Sequence, residues 1–388
     1  MEKPPKSIAL VANTSWNLVH FRTSLAEQLR EKGYRVLAIA PPGPYSKRLL
    51  SEPFSRYYPW TRLKAHGRNI FREWQAAWEL RRLYQILRPD LALHFTIKPN
   101  MYGSWAASKL GIPSISTITG LGYPFLHPVG GNQFVPYLYR DALKGSSATV
   151  FQNEDDRSLF LKKRIVDEAR ALLIRGSGVD TRYFSPQKGE RIPDTFTFLY
   201  AGRLLRDKGI MEFLEAGRRI SEKFPQARFQ VAGEPEPENP SALSEKELMS
   251  FFTNPAFKYW GFVDDIRPLM AGSDVFVLPS YREGMPRAVL EAMAMGKPVI
   301  TSDAPGCKET VEPGVNGLLS PVGDTEALGL AMKQMLEADP AMLEAMGARC
   351  LQKARDHFDI RAINRQFLDL IEQVLKDGIT AKTSPVVF

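Results

Sequence analysis

Glu283 and Glu291 stand eight residues apart in the stretch Leu278-Pro-Ser-Tyr-Arg-Glu-Gly-Met-Pro-Arg-Ala-Val-Leu-Glu-Ala-Met-Ala-Met-Gly-Lys-Pro-Val-Ile300. An ionised carboxylate only accepts hydrogen bonds, and its two oxygens can take two at once, which suits neighbouring hydroxyls on a sugar ring or a ribose. The pattern around the pair predicts strand, loop, helix and strand. Residues 275–278 are a short apolar run, Pro286 suits the first turn of a helix, Gly296 ends that helix, and residues 298–300 resume extended structure. This is one unit of a parallel sheet, in which ligands bind outside the carboxyl ends of the strands. The loop of residues 280–285 lies there, directly before a helix N-terminus whose N–H groups favour anions.

Glu283, Gly284, Pro286 and Glu291, followed by Ala292, Gly296 and Pro298, resemble the Glu-x7-Glu signature of glycosyltransferase family 4, the retaining nucleotide-sugar enzymes of the GT-B fold. The resemblance implies that Glu283 contacts the donor sugar and Glu291 the nucleotide ribose, with Gly284, Met285 and Pro286 forming the helix start that faces the donor. In isolation the same two residues read as a loop charge and a solvated helix residue. A second motif, Ala201-Gly-Arg-Leu-Leu-Arg-Asp-Lys-Gly209, follows another strand and favours the site reading. The resemblance implies that Arg203 and Lys208 bind the donor diphosphate. A forked guanidinium and a mobile ammonium can together neutralise such a leaving group. The donor implied is a UDP-sugar. No metal and no further cofactor is expected, because Asp155-Asp156 and Asp264-Asp265 lack the spacing that chelates Mg²⁺, and Asp265 reads as a helix cap.

At 388 residues, 44% hydrophobic and 24% charged, the composition is that of a globular chain of two domains. The only cysteines, Cys307 and Cys350, have no metal-ligand spacing and predict a reduced, cytoplasmic setting. The start of the chain lacks the apolar core of a signal peptide, and no window reaches the ~18 apolar residues of a spanning helix. Net charge is +8, distributed unequally: residues 1–175 carry 26 Lys and Arg against 13 Asp and Glu, the remainder 25 against 30. A basic first half predicts an anionic partner: nucleic acid, a membrane surface or a phosphorylated substrate. Nucleic acid is disfavoured because no helix-turn-helix, zinc or single-strand module accompanies the charge.

In the first half, residues 7–12 and 34–40 predict strands and residues 19–32 a helix. The loop between the first strand and helix, residues 13–18, lacks the glycine-rich dinucleotide fingerprint, which disfavours a nicotinamide enzyme. Phe21-Arg22 follows as in many family 4 members, where this loop, here with Asn17, lies near the reaction centre. Arg22 reads equally as a solvated helix residue. Two further strands deliver His94-Phe-Thr-Ile-Lys-Pro-Asn100 and Thr119-Gly-Leu-Gly122, both similar to the polysaccharide-assembly branch of the family. That similarity implies an acceptor side made by Asn17, Arg22, Lys98, Thr119, Gly120 and Gly122. His94 is expected among the catalytic residues, with a satisfied core histidine as the other reading. Asn100 reads as a helix cap.

Residues 47–88 hold ten basic residues against three acidic ones, together with Trp60, Trp74 and Trp78. Positions 71, 74, 78, 83, 84 and 87 approximate helical spacing, which predicts either a core helix or a membrane-surface helix.

The expected fold is α/β: GT-B, two Rossmann-like domains with parallel sheets facing a central cleft. An acceptor domain takes residues 1–175 and a nucleotide-sugar domain residues 176–360; residues 361–388 supply a helix crossing back, then a tail. The expected activity is retaining transfer of a hexose or N-acetylhexosamine from a UDP-sugar to a polyprenyl-diphosphate-linked saccharide. The protein is expected to sit peripherally on an anionic membrane, at the inner face of the cytoplasmic membrane. The competing readings are a nucleotide-sugar epimerase of the same fold and a non-catalytic nucleic-acid-binding protein.

Overall fold

The computed structural model describes residues 4–64, 69–121, 125 and 134–377. The chain divides into two compact units, one of residues 1–177 with 362–388 and one of residues 178–361. Among the described residues, the first unit carries a seven-stranded sheet. Its strands are β1 (Ser7–Val11), β2 (Arg35–Ala40), β3 (Arg56–Pro59), β4 (Leu91–Phe95), β5 (Ser114–Ile118), β6 (Ala148–Phe151) and β7 (Ala171–Leu173), in the spatial order β3-β2-β1-β4-β5-β6-β7. The second unit carries six strands: β8 (Phe196–Ala201), β9 (Ala227–Ala232), β10 (Phe257–Gly261), β11 (Val275–Leu278), β12 (Val299–Ser302) and β13 (Gly317–Ser320). Their order is β10-β9-β8-β11-β12-β13. Every pairing is parallel.

Parallel sheets are covered on both faces, so their strands read as continuous apolar runs. β1, β4, β11 and β12 are buried at every position. The strand order reverses between β1 and β4 in one sheet and between β8 and β11 in the other. At such a switch point the loops leaving two neighbouring strands diverge to opposite faces and open a crevice at the carboxyl edge. The turn after β8 and the loop after β11 are the two segments that carry Arg203, Lys208 and Glu283.

The helix Ile360–Asp377 belongs to the first unit from Ala362 onward. Its Ile363, Phe367, Ile371 and Val374 share a buried cluster with Ile8, Leu10 and Leu93. Asn364 Nδ2 donates to Ser24 Oγ at 3.0 Å. The expected tail, residues 380–388, lies outside the described residues.

The helix Ile70–Leu87 has two apolar faces where the spacing predicted one. Ala76, Leu80 and Tyr84 pack on the sheet, while Phe71, Trp74 and Trp78 are 67%, 60% and 41% exposed. At about 100° per residue these two sets lie on opposite sides of the helix. Trp60 is fully buried and its Nε1 donates to Ala76 O at 2.9 Å, so this tryptophan is core. Asn100 caps nothing: the helix Ile97–Lys109 begins earlier, and Asn100 is buried in its first turns with Nδ2 donating to Thr117 O at 2.8 Å. No helix among the described residues is long and apolar enough to cross a membrane.

Candidate active site

The turn after β8 is shaped by a buried tyrosine and a glycine. Tyr200 donates its hydroxyl to Arg203 O at 2.9 Å and Lys208 O at 3.4 Å, closing the chain between the two cations. Burial, then the nearby Glu283 charge, push the Tyr200 hydroxyl pKa up, so it stays a donor. Gly209 has φ +71°, and a Cβ there would fall 2.0 Å from Pro279 O. Only glycine lets this turn lie against the start of the β11 loop. The two segments are stitched together where Tyr281 N and Ser280 Oγ donate to Asp207 O at 2.9 and 3.1 Å.

Within this frame Lys208 Nζ donates to Glu283 Oε1 across 75 residues of sequence, and their side chains are only 17% and 16% exposed. An ammonium has three N–H donors, so one bond to Glu283 leaves others for phosphate oxygens. Arg203 extends further into solvent, its Nη1 donating to Glu236 Oε2 at 3.0 Å. Glu283 is fixed through its backbone, which donates to Pro305 O at 2.9 Å. Gly306, at φ +82°, allows that contact, since a Cβ would meet Glu283 O at 2.4 Å. Gly284 continues the loop. Met285 is buried in the core of the second unit.

Pro286 caps the helix Arg287–Ala294, and its carbonyl accepts from Val289 and Leu290. Having no N–H of its own, Pro286 passes the donor role at the helix start to the residues that follow. Glu291 sits one turn into this helix, its Oε1 receiving Arg287 Nε at 2.8 Å. Burial raises the Glu291 carboxyl above its ordinary range, and Arg287 opposes that shift. Beneath the loop, Cys307 is fully buried, and burial pushes its thiol pKa up, as does the Glu283 charge. It is therefore a packed hydrophobe and no nucleophile. Asp265 is occupied by its neighbour: Arg267 donates to it from the backbone at 3.1 Å and from its side chain at 2.8 and 2.6 Å.

The remaining expected site residues lie in the first unit, where the structure corrects several. His94 is fully buried, with Nε2 2.8 Å from the Tyr84 hydroxyl and Nδ1 3.3 Å from Ser104 Oγ. Burial lowers its pKa to about 3. Both nitrogens are engaged in the core, which is the arrangement of a satisfied core histidine and speaks against the expected catalytic role. Arg22 is not solvated: it is buried with its guanidinium 3.8 Å from the centre of the Phe95 ring. Lys98 Nζ donates to Glu73 Oε1 at 2.8 Å and to Lys64 O at 2.6 Å, tying the helix Ile97–Lys109 to the basic segment. Asn17 lies in the first turn of the helix Ser15–Glu31, its N–H capped by Thr14 Oγ1 at 3.1 Å. The buried side-chain oxygens of Asn17, Thr96 and Thr117 make no hydrogen bond to the chain. Thr119 and Gly120 follow β5, half-buried. Gly122 lies outside the described residues.

Tyr200, Gly209, Gly306 and Glu236 escaped the sequence reading. Gly209 directly after Lys208 and the Pro305-Gly306 dipeptide were turn signals that could have been followed. Nothing local marks Tyr200 or Glu236.

Two parallel α/β units, the second with paired charges at its switch point, have the architecture of the GT-B fold. Residues 20–176 match the family described as Glycosyl transferase 4-like domain and residues 195–338 that described as Glycosyl transferases group 1. The chain belongs to this glycosyltransferase family and is a glycosyltransferase. It is 27% identical to the N,N'-diacetylbacillosaminyl-diphospho-undecaprenol alpha-1,3-N-acetylgalactosaminyltransferase of Campylobacter jejuni, over 95% of this chain and 99% of that one. It is 28% identical to the UDP-Gal:alpha-D-GlcNAc-diphosphoundecaprenol alpha-1,3-galactosyltransferase of Escherichia coli, over 72% and 74%. In fold it is similar to Anabaena Alr3699/HepE, crystallised with UDP, at TM-score 0.76 and 21% identity over 94% and 99% of the two chains.

Proposed function

We propose that the protein transfers a hexose or N-acetylhexosamine, with retention, from a UDP-sugar to a saccharide carried on a polyprenyl diphosphate. The observation that carries this reading is the meeting of Lys208 with Glu283, beside Arg203, at the switch point of the second sheet. Both relatives are named for acceptors on diphosphoundecaprenol, and one for UDP-galactose. In the reaction the bond from the anomeric carbon to the diphosphate oxygen breaks and a bond to the acceptor hydroxyl oxygen forms on the same face. The acceptor proton passes to the departing phosphate. Arg203 and Lys208 stabilise the negative charge on that phosphate. Glu283 holds the sugar and steers Lys208, while Glu291 receives the ribose. The two cations supply the charge a divalent ion would otherwise provide, so transfer proceeds without metal. On the acceptor side, the half-buried Asn17, Thr119 and Gly120 offer polar groups to saccharide hydroxyls.

The lipid carrier brings the enzyme to an anionic membrane, at the cytoplasmic face. Supporting this, the outward face of the helix Ile70–Leu87 displays Phe71, Trp74 and Trp78 beside exposed Arg72 and Arg82. Aromatic rings with flanking cations fit a headgroup layer. Incubating the enzyme with a panel of UDP-sugars and polyprenyl-diphosphate-linked saccharides, with and without EDTA, tests the whole reading by mass spectrometry. A glycosylated lipid-linked product formed equally in EDTA is expected. Turnover of UDP-sugars without acceptor, or rescue only by Mg²⁺ or Mn²⁺, would overturn it.

A further inference from the structure

The two cations assigned to the donor, Arg203 and Lys208, are each held by a carboxylate, but the two carboxylates differ in purpose. Glu283 has the sugar to hold. Glu236 lies in the polar loop after β9, the strand next to β8, and has no such part in the transfer. Its position is nonetheless built. Asn239 Nδ2 donates to Glu236 Oε2 at 2.8 Å, the same oxygen that receives Arg203 Nη1 at 3.0 Å. Asn239 N donates to Glu236 O at 2.8 Å, and Ser241 N to Asn239 Oδ1 at 3.0 Å. The loop is in turn fastened to the donor turn itself: Leu204 N donates to Glu234 O at 3.1 Å, Arg206 N to Ser241 O at 2.8 Å, and Asp207 N to Ser241 Oγ at 3.0 Å. The Glu236 carboxylate is thus aimed at Arg203 by its surroundings.

Resting on the donor-site reading above, we infer that Glu236 is an internal competitor of the donor diphosphate for Arg203. A carboxylate and a phosphate seek the same planar fork of N–H donors, and two anions on one guanidinium repel. A nucleotide diphosphate therefore binds Arg203 by displacing Glu236, and Glu236 returns to Arg203 when the nucleotide leaves. The contact is cheap to open, since the Arg203 and Glu236 side chains are 53% and 34% exposed. Exposed pairs of this kind shift an equilibrium by about fivefold or less. Glu236 accordingly lowers the affinity for UDP-sugar and UDP alike, and speeds the departure of UDP after transfer.

The test is titration calorimetry of UDP into the full-length protein at low ionic strength. Glu236→Gln keeps the bond from Asn239 and removes the charge. It should bind UDP about threefold more tightly than wild type, lower the donor KM by a similar factor and deepen product inhibition by UDP. A merely structural role would weaken binding, so the gain itself is diagnostic. Glu238→Gln removes an equal charge from an exposed position in the same loop and should leave the affinity unchanged. The gain should vanish in the Arg203→Ala/Glu236→Gln double variant. Unchanged or weaker UDP binding by Glu236→Gln, an equal gain in Glu238→Gln, or a gain that survives loss of Arg203 would each overturn the inference. Wild-type UDP affinity in Arg203→Ala alone would overturn the donor-site reading itself, which separates the two failures.

Discussion

At the switch point of the second sheet, charged side chains meet in pairs, Lys208 with Glu283 and Arg203 with Glu236. At the switch point of the first, the polar groups are neutral and sunk beneath the surface: His94 between Tyr84 and Ser104, Asn100 on Thr117 O. Arg22, buried against Phe95, and Lys98, paired with Glu73, are charged exceptions. Thr96, directly after β4, has φ +76°, ψ 168°, a region that favours glycine. The same topology thus serves two chemistries. One edge carries paired charges, the other mainly neutral groups sealed in the core.

The largest effect should come from the charged edge. Lys208→Ala and Arg203→Ala should each lower kcat by about 10²–10³-fold, because each stabilises charge that grows on the leaving phosphate. Near-wild-type kcat in both variants would erase the contrast between the edges.

The buried edge should answer in stability and leave turnover nearly intact. His94→Ala removes a packed ring and strands the Tyr84 hydroxyl, so unfolding free energy should fall by about 2–4 kcal/mol. Urea unfolding beside a kcat measurement checks this, and a large kcat loss in a stably folded variant would return His94 to the reaction. His94 also predicts a pH dependence. Its folded pKa, about 3, lies below the ordinary value of 6.5. The unfolded chain therefore takes up a proton that the folded chain refuses. The stability this group contributes is present above pH 6.5 and lost as pH falls from there towards 3, by up to about 1.4 kcal/mol per unit. His94→Gln should remove that component of the slope.

Within the charged edge, the two glutamates should separate. Glu291→Ala should weaken UDP binding about tenfold, as loss of a charge-assisted hydrogen bond would. Glu283→Gln should spare UDP and depress transfer. Equal loss of UDP affinity in both variants would merge their roles. Because burial raises the Glu291 carboxyl, UDP binding should start to weaken, as pH falls, at a higher pH than an ordinary carboxylate would give.

The smallest effect belongs outside both edges. Trp74→Ser with Trp78→Ser should reduce binding to anionic vesicles several-fold, and added salt should reduce the wild-type signal. Trp60 lies in the core, so Trp60→Ser should instead cost stability. Vesicle binding undiminished by the double change would remove the outer face of the helix Ile70–Leu87 from the membrane reading.

The sequence alone determined the parallel α/β layering, because buried strands and capped helices announce themselves by composition over a few residues. It also singled out Arg203, Lys208, Glu283 and Glu291 through their resemblance to the family's motifs, whose neighbouring glycines and prolines are local signals of backbone geometry. Only tertiary structure decided that Lys208 meets Glu283, that His94 is sealed and that Glu236 faces Arg203. Those outcomes depend on which strands become neighbours and what packs over them. Residues 71–87 show the limit most clearly. Their aromatic spacing is equally compatible with a buried or an exposed stripe, and Ala76, Leu80 and Tyr84 settled the matter by offering the sheet a closer fit on the opposite side.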